Sequence, residues 1–280
     1  MSANSILSFN ASTTNRKQLS EITEPFQIMP SARAKLTSRT IQSFSETNNS
    51  KILIHVNYLT YVFNDSAVEN NSPGRKSLQM YNQLADTIHT KHILIHLPKS
   101  VSEMTNLENG LLVIHDELIR NNKIVHLEIP AWTKEFMIKY DIQKRKPIDV
   151  ITEYMDIILD KLSAFPKGSF RIVFDTAHMW SNGCHATDMV EIMKKYEKYI
   201  MFIHLNGNLK GQYVMDTHCP IFSPSNKFIK EIDTLCNYIA SKPFISIAEV
   251  THSGSTWDEW NKFASDYGFS LVSENKAYSI

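Results

Sequence analysis

Six apolar runs in this chain end in a side chain that can bind a cation: Ile52–His55, Ile93–His96, Ile124–Glu128, Arg171–Asp175, Ile200–His204 and Ile245–Glu249. Two short motifs add donors. Asp175-Thr-Ala-His178 sets an imidazole three residues after a run-ending carboxylate, and Asp216-Thr-His218 holds two donors two residues apart. The candidate ligands are therefore His55, His96, Glu128, Asp175, His178, His204, Asp216, His218 and Glu249. Imidazole and carboxylate without thiolate suit zinc, and also manganese or iron. These donors are more than one ion can use, which points to two or three ions sharing bridging carboxylates. Three divalent ions would exceed the charge of the four carboxylates by about two units, a match for a phosphodiester plus a hydroxide. Phosphate-ester hydrolysis is the chemistry that such a cluster favours.

Such residues converge only if the elements carrying them do. A strand buried on both faces is apolar throughout, so a polar residue at its last position is aimed out of the sheet end. Ile6–Phe9 and Phe26–Met29 read as two earlier strands, bringing the count to eight. Between the strands, Lys76–His89, Asn109–Asn121, Pro147–Phe165, Thr187–Lys198 and Ser225–Ala240 carry apolar residues at helical spacing. Strand and helix in alternation make a parallel sheet, and eight parallel strands close into a (β/α)8 TIM barrel whose active site lies at the strand C-terminal ends. An open doubly wound sheet would gather its ligands at one switch point instead of on six strands. The polar stretches Asn64–Lys76 and Asn206–Pro224 are long enough to be functional loops.

At 280 residues and 42% hydrophobic content, the chain fits one barrel domain spanning 1–280, close to the roughly 250 residues usual for that fold. No basic stretch followed by an apolar one opens it, and no apolar segment approaches the ~20 residues of a bilayer span. A soluble, intracellular protein without a membrane partner is expected. Cys184, Cys219 and Cys236 are too scattered for a disulfide framework or a thiolate zinc site and are expected to be free. A net charge of zero argues weakly against nucleic acid. Local groups soften that: Arg33, Lys35 and Arg39; Arg75 and Lys76; and Lys144, Arg145 and Lys146. A bound metal cluster would add positive charge of its own.

Taken in order, His55-Val-Asn-Tyr-Leu59, Leu94-Ile-His96, Leu127-Glu128, Phe174-Asp-Thr-Ala-His-Met-Trp-Ser-Asn-Gly183, Met201-Phe-Ile-His-Leu-Asn206, Asp216-Thr-His218 and Ala248-Glu249 resemble the endonuclease IV family of apurinic/apyrimidinic endonucleases, especially its divergent branch in large DNA viruses. The resemblance implies three zinc ions and cleavage of double-stranded DNA on the 5′ side of an abasic site, as in base excision repair. It would give His55, His96 and Glu128 to the first ion, Glu128, Asp175, His204 and Glu249 to the second, and His178, Asp216 and His218 to the third. Glu249 and Glu128 would position the attacking hydroxide, and the third ion would stabilise the leaving 3′-oxygen. Tyr58 and Leu59 fall where the family inserts a wedge into abasic DNA, and Arg33 lies near another inserted residue. The resemblance also implies a monomer acting in the nucleus, a cytoplasmic virus factory or a virion.

The pattern departs from the family in places. Asp216-Thr-His-Cys-Pro-Ile-Phe-Ser-Pro224 lacks the family's Arg and glycines, Gly207 replaces an Asp, Asn10 stands where relatives have a His near the first strand end, and the segments after His96 and Glu128 read Leu-Pro-Lys99 and Ile-Pro130. Two other readings stand beside this one: a sugar isomerase or epimerase, which also gathers Glu, Asp and His around metal at strand ends, and a DNA-binding or virion protein whose catalysis has decayed. His89, His92, His115, His185 and His252 are expected at the surface or in structural hydrogen bonds, and His126 in the interior. Trp132, Trp180, Trp257 and Trp260 are expected to pack, with Trp180 close enough to His178 to line the site.

Overall fold

The computed structural model describes residues 5–11, 24–30, 36–47, 50–57, 62–64, 69–214, 216–249 and 255–272. Parallel strands β1 (Ile6–Ala11), β2 (Phe26–Ile28), β3 (Ile52–His55), β4 (His92–His96), β5 (Ile124–Ile129), β6 (Phe170–Asp175) and β7 (Ile200–His204) pair in sequence order. A two-residue antiparallel pair, β8 (Gly207–Asn208) with β9 (His218–Cys219), lies outside this ring. Strand β10 (Ile245–Ala248) then pairs with β7 on one side and with β1 on the other, which closes a (β/α)8 barrel. The short β11 (Ser270–Leu271) also pairs with Ile6 and Leu7 of β1.

Strand periodicity sorts the side chains into two cores. Ile52, Ile54, Ile93, Ile95, Val125, Leu127, Ile172 and Phe174 belong to the large core beneath the helices. Leu53, Leu94, Val173, Phe202 and Ile247 form a separate buried cluster, one from each of five strands, as expected for the layered filling of a barrel interior. Two residues further along each of those strands, on the same face, stand His55, His96, Asp175, His204 and Glu249. On β5 the corresponding step runs from His126 to Glu128.

Helix ends follow local capping. Ser72 accepts from the Arg75 amide and Pro73 starts the helix Pro73–Thr87, so the polar stretch from Asn64 is shorter than expected. Helix Trp257–Tyr267 has a Thr256/Glu259 capping box and ends at Gly268 with φ 79°. The expected helix from Ser225 instead runs Ile232–Ala240 behind a 3-10 turn at Ile229–Glu231. Its first residues are diverted because buried Asn226 accepts from the Asn208 and Phe228 amides and donates to the Ile221 carbonyl, making it a loop brace. Among the described residues, no helix is long and apolar enough to cross a membrane.

Candidate metal centre

Four of the candidate donors, His55, His96, Asp175 and His204, are the last residues of their strands, Glu128 is the next to last of β5, and all five converge inside the barrel mouth. Glu249 follows directly on β10, one residue past its last paired position. Asp175 has two tasks. Its Oδ1 accepts from the amides of Ala177 and His178, capping helix Thr176–Ser181, while its Oδ2 faces the mouth. That turn delivers His178, and β9 delivers His218 beside Asp216.

Glu128 is fully buried at the centre, and its two oxygens face different imidazoles. Oε2 lies 3.0 Å from His96 Nε2 and 3.4 Å from His55 Nε2, while Oε1 lies 3.0 Å from His204 Nδ1 and 3.3 Å from His178 Nδ1. Glu249 divides in the same way, with Oε1 3.8 Å from His55 Nε2, and Oε2 3.5 Å from His204 Nδ1 and 3.4 Å from His218 Nδ1. Asp175 Oδ2 is 3.6 Å from His204 Nδ1 and 3.7 Å from His218 Nε2. Asp216 Oδ2 is 2.7 Å from His218 Nε2 and 3.5 Å from His178 Nε2. Four groups of three have one donor atom each within 4.8 Å of one another: His55/His204/Glu249, His55/His96/Glu128, Asp175/His178/His218 and Glu128/Asp175/His204. All nine donors picked out in the sequence thus meet at one place.

The outer polar partners orient these rings. A carbonyl only accepts, so His55 Nδ1 donates to Val56 O (2.9 Å) and His178 Nδ1 to Ile129 O (3.0 Å), which turns each Nε2 into the cluster. His204 Nε2 donates to Gln27 Oε1 (2.8 Å), which aims Nδ1 at Glu128 Oε1 (3.0 Å), and Gln27 Nε2 donates to Glu249 Oε1 (2.8 Å). Asn206 donates to Asp175 Oδ2 (2.7 Å) and Glu249 Oε2 (3.2 Å), and accepts from the Glu249 amide (3.0 Å). Asn208 donates to Asp216 Oδ1 (3.1 Å). Sequence reasoning missed Gln27, Asn206 and Asn208 as parts of the site; a polar residue between Phe26 and Ile28 in a three-residue buried strand was the available signal for the first.

Charge is distributed as a cation cluster requires. Burial pushes the Glu128 carboxyl up, but the His96 and His204 imidazoles beside it outweigh burial and hold it well below the usual range. Burial also opposes ionisation of Asp175, yet His178 and His218 hold it low. Conversely, burial lowers His178 and His204, while Asp175 on the first and Glu249 and Glu128 on the second raise both well above an ordinary imidazole. His218, buried but facing Asp175, Asp216 and Glu249, is raised to about 9. His96 goes the other way, lowered chiefly by burial. Glu128 Oε2 and His218 Nε2 are buried, and their close contacts, to His96 and His55 and to Asp216 and Asp175, are ion pairs without hydrogen-bond alignment. Carboxylate oxygens and imidazole nitrogens gathered this closely, yet poorly aligned for hydrogen bonds to one another, are the donors a divalent cation takes, so the residues present fit divalent metal.

The other expectations resolve as follows. His126 is fully buried, its Nε2 2.9 Å from His92 Nδ1, deep in the barrel below the cluster. His185 sits at the start of helix Ala186–Tyr196 and pairs with Glu231. Trp180, on the same helix as His178, is buried against Phe228 and donates to the Lys210 carbonyl, so it packs as expected. Cys184, Cys219 and Cys236 are free and buried. Tyr58, Leu59, Arg33 and His252 lie outside the described residues.

Fold and donor set together define a parallel (β/α)8 barrel with a His/Asp/Glu cluster at the strand C-terminal mouth. No protein-family model matches the sequence, and no curated protein matches it. Among solved structures, the chain is similar to the ASFV AP endonuclease in the crystal structure of AsfvAP:AG, at 14% identity over 95% of this chain and 97% of that one, with a TM-score of 0.63. It is similar to endonuclease IV from Thermus thermophilus, at 14% identity over 92% and 97%, with a TM-score of 0.60. It is also similar to a D-tagatose 3-epimerase-like protein, at 15% identity over 94% and 96%, with a TM-score of 0.61. At these identities the likeness is one of fold, and both the endonuclease IV resemblance and the barrel isomerase alternative have structural neighbours.

Proposed function

We propose that the chain is a metal-dependent endonuclease that hydrolyses the DNA phosphodiester 5′ to an abasic site, with three zinc ions held by His55, His96, Glu128, Asp175, His178, His204, Asp216, His218 and Glu249. The observation that carries this reading is the corner formed by His178, Asp216 and His218, joined to the strand-end donors through Asp175. A sugar isomerase or epimerase needs one or two ions and has no use for that corner. When bound, such ions supply Lewis-acid stabilisation of a phosphoryl group and a nucleophile at neutral pH.

The chain's own groups supply the rest. Glu128 and Glu249 each present two oxygens to different imidazoles, the arrangement that bridging carboxylates need. Gln27 and Asn206 fix the Glu249 carboxylate from two sides, so its orientation is set before substrate arrives. Glu128 and Glu249 are the residues proposed to position the attacking water. Tyr58, Leu59 and Arg33 are proposed to contact DNA on the strength of the sequence resemblance alone.

The test is metal analysis joined to a nicking assay. About three ions per chain and selective nicking of an abasic duplex, with intact duplex untouched, are expected. One ion per chain with ketose or aldose turnover would instead favour the isomerase, and tight abasic-duplex binding without cleavage under any divalent metal would mark a decayed nuclease. Glu249→Gln is expected to bind abasic duplex as the wild type does, while losing about two to three orders of magnitude or more in nicking rate. Retention of full nicking by that variant would remove Glu249 from the reaction.

A further inference from the structure

The three donors of the corner reach it from two separate parts of the chain. His178 stands on the helix Thr176–Ser181 after β6, and its ring is steered by Ile129 O at the end of β5. Asp216 and His218 come from the β8/β9 hairpin after β7, and each is 20% exposed. Donors on so exposed a loop hold their place beside the helix only if something ties the two together.

Asn208 is such a tie. It is fully buried, and it sits opposite His218 in the pairing of β8 with β9. Its Nδ2 donates towards Asp216 Oδ1 (3.1 Å) and, on the helix that carries His178, towards Ser181 Oγ (2.9 Å) and Ala177 O (3.2 Å). Its Oδ1 accepts from the Lys210 amide (2.8 Å), so that oxygen is spent within the loop and is not itself a metal donor. These partners fix which end of the carboxamide is which, because a carboxylate and a carbonyl only accept and a backbone amide only donates. The strand carrying Asn208 is held from behind as well. A Cβ on Gly207 would stand 2.8 Å from Asn226 Cγ and 2.9 Å from Pro220 O, and Asn226 Oδ1 accepts from the Asn208 amide (3.1 Å).

We propose that Asn208 is the positioning residue of the third ion: by joining the His178 helix to Asp216 and His218 it assembles the corner, so occupancy of the corner depends on it while the strand-end donors do not. The inference rests on the three-ion nuclease reading and deepens it. The side-chain bonds of Gln27 and Asn206 go instead to His204, Asp175 and Glu249, so each half of the centre has its own amide brace. Without Asn208 the chain would keep its strand-end donors and carry the ion count of a barrel isomerase.

The experiment counts zinc per full-length chain by atomic emission after desalting, and measures the affinity of the weakest-held ion by competition with a chelator. Wild type is expected to carry about three ions and Asn208→Ala about two, with the weakest ion bound about 10–100-fold less tightly and the others unchanged. Asp216→Ala, which removes a donor outright, gives the reading for an empty corner. Asn226→Ala is the control for a loop brace alone, expected to lower the melting temperature and keep the full ion count. Cobalt-loaded protein supplies a spectroscopic readout: visible absorption of Asn208→Ala is expected to match that of Asp216→Ala and to differ from that of Asn226→Ala. Asn208→Ser, whose hydroxyl is too short to span Ser181 and Asp216 together, carries the same expectation if the alanine variant does not fold. A full ion count at wild-type affinity in the Asn208 variants, or equal ion loss in Asn208→Ala and Asn226→Ala, would overturn the assignment and leave the nuclease reading standing. A wild type that holds about three ions yet leaves abasic duplex whole defeats the nuclease reading alone, since the ion counts still report on Asn208. A wild type with no more than about two ions defeats both.

Discussion

Proton placement at His178, His204 and His218 decides how the centre accepts a cation. All three are raised above an ordinary imidazole by the carboxylates around them, His218 to about 9, so at neutral pH the metal-free protein holds these rings charged. Metal needs the neutral ring, so binding must expel those protons, and affinity should climb as pH rises towards about 9, where His218 loses its proton unaided. Zinc titrated into weakly buffered metal-free protein at pH 7 is expected to release about three protons per chain. Unchanged pH on zinc binding would mean these rings are already neutral. The nine donors could be picked out by type and spacing, whereas Gln27 offered only its polar place in a buried strand, and Asn206 and Asn208 offered no signal. An amide that orients a ligand looks like any other polar residue until the partner, 177 positions away for His204 and Gln27, is placed beside it.

Asp175 shows how much one strand-to-helix junction carries. Its Oδ1 begins helix Thr176–Ser181 and its Oδ2 faces the cluster, so the two jobs separate by substitution. Asp175→Asn, which keeps an acceptor for the cap, is expected to fold with near-native stability but to bind less than the full metal complement. Asp175→Ala loses both and should cost about 1 kcal/mol further in denaturant unfolding. Equal stability of the two variants would show that the cap contributes nothing. Strands β3 and β7 were legible to the residue because both faces of each are apolar and the run stops at a histidine. Helix Ile232–Ala240 was misjudged at its start because apolar spacing alone cannot show that Asn226 is committed to the loop beside β8. The β8/β9 pair was invisible for a related reason: two residues per strand leave no periodicity to read.

At the scale of the molecule, the cluster is also a structural load. Glu128 and Asp175 are fully buried near one another, and in the metal-free state, among the described residues, protonated histidines and the amides of Ala177, His178 and Asn206 offset them. Stripping metal with a chelator is expected to lower the melting temperature by on the order of 10 °C, since a site loaded to about a thousandfold its dissociation constant contributes about 4 kcal/mol. Superimposable melting curves with and without chelator would rule out a resident ion. Eight strands, their order and their closure into a barrel followed from the alternation and the strand count, whereas the register in which β1 meets β10 did not, because no local pattern encodes that pairing. The seam has a consequence for biosynthesis. Ser5 donates to the Phe244 carbonyl 239 positions later, and the Ser270 amide donates back to the Ser5 carbonyl. A ribosome-tethered chain therefore holds its first strand unpaired on one edge until β10, which follows Phe244, has been made, and Glu249 reaches His55 only after that.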